Sequence, residues 1–163
     1  MRTLSRDSLH SLLVEVATLN KLVGDVHDLA IADLGALSYR RANVNVGEIL
    51  RTCVATFQVR FEQRALLANV DIAADDLMVF ADEGRLQQLF NNLLENSVRH
   101  TDPGGHVTVS ARRADGDALL TIEDSAPGVP DEVLPRLFER FFRVDASRSR
   151  ATGGSGLGMA ICR

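Results

Sequence analysis

The chain holds two cysteines in 163 residues, Cys53 and Cys162. Two thiols so far apart make neither a disulfide framework nor a zinc-knuckle spacing, so they are expected to be reduced, cytosolic thiols. Positive charge is not in excess either. The formal net charge of −4 offers no surface for nucleic acid, and none is expected as a partner. No apolar run approaches the roughly 18 residues of a membrane span, and no signal-peptide pattern opens the chain. The expectation for the piece in hand is a soluble one. The tripeptide Gly-Lys-Ser/Thr is missing, which excludes a Walker A phosphate loop. No proline occurs before Pro103, and up to that point helical and strand-like patches alternate. What remains is ordinary for a globular protein, at 45% hydrophobic and 25% charged residues. The length suits one domain with an appendage.

The first forty residues carry a helical stripe. Leu9, Val16, Val23, Ala30 and Leu37 recur every seven residues, and Leu12, Leu19, Val26 and Asp33 fill the intermediate positions. Only Asp33 breaks this seam. Leu13, Leu22, Leu29 and Leu34 widen it beyond a two-helix contact, which suits a four-helix bundle and asks for partner helices. A helix packed on its own domain is the competing reading. The boundary to the following part falls near Arg41, giving a bundle helix over 1–41 and an α/β domain over 42–163.

Within that domain, Gly47 to Gln63 is amphipathic, with Ile49, Leu50, Val54, Phe57 and Phe61 on one face. Val70 to Ala73 and Met78 to Ala81 predict short strands around a turn at Asp75-Asp76. Asp82 is placed to cap a helix carrying Leu86, Leu89, Phe90, Leu93 and Leu94. Asp102-Pro103-Gly104-Gly105 predicts a turn. Alternation over His106 to Ala114 and Ala118 to Glu123, with Asp115-Gly116 between, predicts a hairpin. Asp131 to Leu137 reads as a short helix with Pro130 near its start. Asp145 to Ser155, rich in Ser, Arg and Gly, reads as a mobile loop, and a last helix is expected from Gly156 to Arg163.

Four segments carry chemistry. In NNLLENSVRHT, Asn92 and Asn96 lie one helical turn apart and Arg99 follows on that face. An amide oxygen suits Mg²⁺, which keeps several waters and takes phosphate oxygens besides, and a guanidinium can pair with phosphate bidentately. A solvated polar face is the plainer reading, although three asparagines in six residues are poor helix formers. In EDSAPGVP, Asp124 can accept from an exocyclic amine such as that of adenine, and would oppose the oxygen of guanine. It can equally be a turn-capping Asp. In GGSGLGMAIC, Gly153, Gly154, Gly156 and Gly158 permit close backbone approach to phosphate, and the helix that follows adds its N-terminal partial charge. A flexible loop has the same composition. This is not the dinucleotide fingerprint, because Met159 stands where the third glycine belongs. In LFERFFRVD, Phe138, Phe141 and Phe142 read as core anchors of a closing loop.

Taken in chain order (NNLLENSVRHT, EDSAPGVP, LFERFFRVD, GGSGLGMAIC), the four segments resemble the N, G1, F and G2 boxes of the sensor histidine kinases of two-component signalling, within the wider ATPase group shared with Hsp90, gyrase B and MutL. The wording LFNNLLENS, EDSAPGV, LFERF and GGSGLGMAIC is similar to that of the BaeS-type envelope-stress sensors. The resemblance covers nearly all of residues 5–163. It implies an α/β (α+β) sandwich, a mixed sheet with helices on one face, preceded by a long dimerisation-type helix. It implies ATP and Mg²⁺ as cofactors. Asn96 would bind the metal, and Asn92 would position the phosphate–metal region. Arg99 would lie near the terminal phosphates, His100 beside the nucleotide, and Asp124 on the adenine amine. Gly128, Gly154, Gly156, Leu157 and Gly158 would shape the lid. It further implies a homodimer through the bundle helix, a response-regulator receiver domain as partner, and a cytoplasmic location within an inner-membrane sensor. Ala126 departs from the usual Asp-x-Gly-x-Gly and slightly narrows that wall.

Two further departures bear on activity. No Ser-His-Glu-Leu-Arg-Thr-Pro segment precedes the N box. LVGDVHDLAIADLGAL resembles the second helix of the acceptor hairpin, and neither His10 nor His27 fits the acceptor. The family also continues beyond the G2 box. The expectation is a fragment cut at both ends, carrying the ATP-binding half and not autophosphorylating by itself. A sister ATPase that phosphorylates serine, and a non-catalytic dimerisation fragment, are the other readings; the heptad helix argues against the first.

Overall fold

The computed structural model describes residues 6–73, 77–144 and 155–162. The expected turn at Asp75-Asp76, most of the expected loop at 145–155, and Gly153 and Gly154 lie outside the described residues.

Helix α1 runs from Arg6 to Asp33. Leu37, counted in the heptad series, lies beyond it, because the chain turns at Gly35 with φ +62° and leaves the helix there. Leu9, Leu12, Val16, Leu19, Val23 and Val26 are all exposed. One side of the helix is nonetheless docked: Leu29 is buried with Leu157 and Ala160, and Leu22 and Ile161 pack against them.

Strand β1, Ala42–Asn45, is too short and polar to stand out in the sequence, and exists through its antiparallel pairing with β3, Met78–Ala81. Asn45 then caps α2, Val46–Gln63, its side-chain oxygen accepting from the N–H groups of Gly47 (3.0 Å) and Glu48 (3.3 Å). The expected face of α2 (Ile49, Leu50, Val54, Phe57, Phe61) is buried, and Cys53 joins it. Strand β2, Leu67–Ile72, starts earlier than its apolar residues indicate, because its partner β4, His106–Ala114, pairs from Leu67↔His106 onward. Thus β2 and β3 belong to different sheets.

Helix α3, Glu83–His100, is capped by Asp82, whose Oδ1 accepts the Arg85 N–H at 3.1 Å. After it, β4 and β5, Asp117–Asp124, form the expected hairpin around Asp115-Gly116, both at positive φ. The sheet order is β2-β4-β5, parallel then antiparallel. Val107, Val109 and Ala111 of β4 face one way into a core shared with Phe57 and Phe61 of α2 and Phe90, Leu94 and Val98 of α3. Helices therefore cover one face of a mixed sheet. Arg60 of α2 and Glu95 of α3 brace the helix pair (2.9 Å).

Two late elements differ from expectation. Residues 131–137 form turns and a short 3₁₀ helix, Leu134–Arg136, because Pro135 sits within the segment and supplies no N–H to an α-helical ladder. The last helix, α4, spans only Gly158–Ile161.

Candidate functional site

Helix α3 carries two different polar faces. Asn92 points away from the sheet toward α1 and α4. It is 7% exposed; its Oδ1 accepts from Lys21 Nζ at 3.3 Å, and its Nδ2 is buried without a hydrogen-bond partner. Lys21 also bridges to the buried carboxylate of Asp25 at 3.2 Å. Gly158 lies against Asn92, where an added methyl would stand 3.6 Å from Oδ1. Burial raises the thiol pKa of neighbouring Cys162, and the Asn92 amide and Lys21 work against that rise. The N-box and G2 segments are therefore in contact through Asn92 and Gly158.

One turn further, Asn96 faces a different space. It lines a cavity of about 420 Å³ between α3 and β5, whose walls include Leu89, Leu93, Leu120 and Ile122. Ser97 and Asp124 line the same cavity. The Ser97 hydroxyl, 2% exposed, donates to Asp124 Oδ2 at 2.7 Å. Asp124 Oδ1 accepts the N–H of Ala126 at 3.2 Å, closing the turn that follows β5. Among the described residues no lysine or arginine pairs with Asp124, so its charge faces the cavity without a cationic neighbour in contact.

The remaining residues singled out from the sequence are spread more widely. Arg99 donates to Glu95 at 3.1 Å. The pKa of Glu95 is lowered, by the Arg60 hydrogen bonds first, burial opposing, with Arg99 adding to the effect. The Arg99 guanidinium is thus engaged on the α2 side. His100 ends the helix at the surface. Desolvation, then the Arg99 cation, hold its pKa below the ordinary value, with Asp124 pulling the other way. Gly128 follows Pro127 in the turn after Asp124 and faces open space.

Gly156 has φ +71°, and its carbonyl accepts the Phe141 N–H at 3.0 Å. A Cβ there would stand 2.9 Å from the Phe141 backbone, so only glycine fits this contact between the F and G2 segments. Leu157 is fully buried against Leu29. Phe138 and Phe141 are exposed, contrary to a core-anchor reading. The chain around them is built of turns, and Phe141 itself takes φ +59°. Phe142 is half-buried beneath the Arg136 guanidinium, 4.3 Å from its ring centre. Sequence reasoning passed over Ser97, Lys21 and Asp25. A serine inside an amphipathic helix was the available signal for the first. The other two signal nothing until α1 is docked.

Chemically, the cavity is an apolar slot with a fixed carboxylate and a carboxamide on its wall. Such a slot suits a flat heteroaromatic ring bearing an amine.

Known proteins place this geometry. The family described as histidine kinase-, DNA gyrase B-, and HSP90-like ATPase matches residues 81–163, the stretch holding α3, the hairpin and the G2 segment. The chain belongs to that ATPase family. Among its relatives, the signal transduction histidine-protein kinase BaeS of Escherichia coli K12 is 49% identical over 99% of this chain. The chain spans about a third of that relative's length (34%). The Acinetobacter baumannii histidine kinase AdeS shares the fold over 97% of this chain and 71% of its own, with a TM-score of 0.78 and 24% identity. Full-length ShkA, solved in complex with AMPPNP, matches 98% of this chain and 34% of its own, with a TM-score of 0.73 and 27% identity. The mixed sheet with helices on one face is thus the histidine kinase ATPase fold, and ATP use goes with this family.

Proposed function

We propose that this chain is the ATP-binding part of a sensor histidine kinase, with a partial dimerisation and phosphotransfer helix over 1–41 and the catalytic domain over 42–163. The observation that carries the reading is the sharing of one apolar cavity by Asp124 and Asn96. Asp124 takes the adenine amine while the aliphatic walls take the ring faces. Asn96 lies on the helix that leads toward the phosphates. Asn92, Arg99, His100 and the glycines at 128, 154, 156 and 158, with Leu157, complete the proposed nucleotide surroundings.

The residues fit Mg²⁺ in one specific sense. Among the described residues no cluster of His, Cys, Asp or Glu could cage a metal. A neutral amide such as Asn96, with phosphate oxygens and waters, is the donor set that Mg²⁺ accepts. The metal would neutralise phosphate charge. The chain itself would hold the base, orient the phosphates and keep water from the adenine slot. Phosphoryl transfer depends on such positioning and charge stabilisation.

For the whole protein, the proposal is autophosphorylation of a histidine with ATP, then transfer to an aspartate of a response-regulator receiver domain, from a homodimer and at the cytoplasmic side of an inner membrane. Among the described residues no helix is long and apolar enough to cross a membrane. The exposed face of Leu9, Leu12, Val16, Leu19, Val23 and Val26 supports pairing with a second chain. Sedimentation at tens of micromolar tests this, and a strict monomer would count against it.

Calorimetry tests the nucleotide reading. ATP with Mg²⁺ should bind more tightly than GTP, and Asp124→Asn should weaken ATP by about 1–3 kcal/mol, the worth of a hydrogen bond to a charged acceptor. Equal affinities for ATP and GTP in the unaltered chain would sink the assignment of Asp124.

A further inference from the structure

Asp124 would be a poor recognition element if its carboxylate could turn. It ends β5, with its backbone paired to Val107. Its side chain would be free to rotate about the last torsion if only the Ala126 N–H held it, since one hydrogen bond to one oxygen fixes a point and not a plane. The second oxygen is held by Ser97, across the cavity on α3, at 2.7 Å. The two donors approach different oxygens, Oδ2 from Ser97 and Oδ1 from Ala126. Together they fix the plane of the carboxylate, and each oxygen keeps a further acceptor site.

Ser97 itself is used unusually. A serine within a helix ordinarily turns its hydroxyl back on the carbonyl one turn earlier. Here the hydroxyl leaves the helix and spends its single proton on Asp124, in a position 2% exposed to solvent. Because the proton is committed to Oδ2, the Ser97 oxygen presents only lone pairs to anything else in the cavity. That arrangement favours a ligand amine over a ligand carbonyl near this wall.

We propose that Ser97 is a positioning residue for purine recognition: it locks the Asp124 carboxylate in the plane that receives the amine, and so sets the preference for adenine over guanine. This rests on the reading of Asp124 as the adenine acceptor. The residue acts through Asp124 and needs no contact of its own with the base.

The test is a double-mutant cycle in the full chain, read by calorimetry with ATP and with GTP, and by thermal melting without nucleotide. Ser97→Ala suits the helix, so the fold is expected to survive. It should weaken ATP about five- to tenfold and GTP by less than about twofold, narrowing the preference, as loss of an ordering hydrogen bond would. In an Asp124→Ala background the same change should have almost no effect on ATP, because residues that act through one another are not additive. An Asp124→Ala variant that binds ATP normally would overturn the Asp124 reading itself. Normal loss with Asp124→Ala but none with Ser97→Ala would overturn the Ser97 proposal alone. So would a Ser97→Ala loss that is equal for both nucleotides and persists without the Asp124 carboxylate. Ser97→Thr, which keeps the hydroxyl, should retain the ATP-over-GTP ratio even if its extra methyl lowers the melting temperature.

Discussion

The ammonium of Lys21, on α1, donates to the side-chain oxygen of Asn92, on α3, at 3.3 Å across 71 residues of sequence. The same ammonium holds Asp25, which is 4% exposed. A buried carboxylate needs such a partner, because an unpaired one carries its desolvation cost unrelieved. Lys21 therefore ties the long helix to the N-box helix, alongside the Asp28–Arg85 pair (2.8 Å), while Asp33 ties the same long helix to Arg140 of the F segment.

Lys21→Met is predicted to destabilise the docked helix by about 1 kcal/mol, a modest figure because the lysine side chain is 54% exposed and its pairs are partly screened. Lys21→Met combined with Asp25→Asn should recover most of that loss, since the stranded charge is then gone. Urea unfolding of the parent chain and the two variants measures it. A single variant as stable as the parent chain would show that the ammonium contributes nothing to docking.

How much of this was legible beforehand follows from range. The apolar faces of α2 and α3 and the Asp115-Gly116 hairpin are written in local periodicity and turn chemistry, and the structure reproduces them. Strand β1 was not legible, because four residues, two of them asparagine, become a strand only by pairing with Met78–Ala81. The same holds for the site. Asp124 and Asn96 stood out by residue type and spacing, and they do line one cavity. Arg99 also stood out, yet its direction depends on Glu95, itself fixed by Arg60 from another helix. Leu37 failed for the opposite reason: a seven-residue count continues through Gly35, whereas the helix stops at Asp33.

Acid stability should report the brace between α2 and α3. Glu95 has a folded pKa below its ordinary 4.5, through Arg60 first and Arg99 after it. A carboxylate with a depressed folded pKa contributes stability that is fully present above its unfolded value and lost as pH falls through the folded one. The contribution of Glu95 should therefore be constant at neutral pH and disappear progressively below about pH 4.5. Glu95→Gln should lower stability at pH 7 and flatten the acid limb. Melting curves from pH 7 to pH 3 decide the matter: parallel profiles for the two proteins would refute the role of this brace.

Gly156→Ala should loosen the join between the F and G2 segments. The residue would be held at φ +71° with its Cβ 2.9 Å from Phe141 backbone atoms. The left-handed conformation alone costs roughly 1–2 kcal/mol, and backbone neighbours cannot step aside as a flexible side chain can. The Phe141 amide, which donates to the Gly156 carbonyl at 3.0 Å, should then exchange its hydrogen faster. Amides in the middle of α2 should be unaffected. Unchanged exchange at Phe141 would mean that the contact is not held by this geometry.

The two asparagines of α3 are predicted to separate in their response to metal. Asn96 lines the cavity that holds Asp124, whereas Asn92 is turned toward Lys21 and Gly158. If Asn96 supplies an oxygen to Mg²⁺ bridging the phosphates, Asn96→Ala should abolish most of the gain in ATP affinity that Mg²⁺ brings. Adenosine, which has no phosphates, should bind the variant within about twofold of normal, since the apolar walls and Asp124 are untouched. Asn92→Ala removes the acceptor of a lysine hydrogen bond and a buried amide donor without a partner, so part of its effect should appear in the melting temperature without nucleotide. Calorimetry of ATP and adenosine, with Mg²⁺ and with a chelator, separates these outcomes. Should Asn96→Ala weaken adenosine as much as Mg²⁺–ATP, the side chain shapes the pocket and holds no metal. Should it leave the Mg²⁺ dependence intact, the metal takes its protein ligand elsewhere, and Asn92, once released from Lys21, becomes the residue to change next.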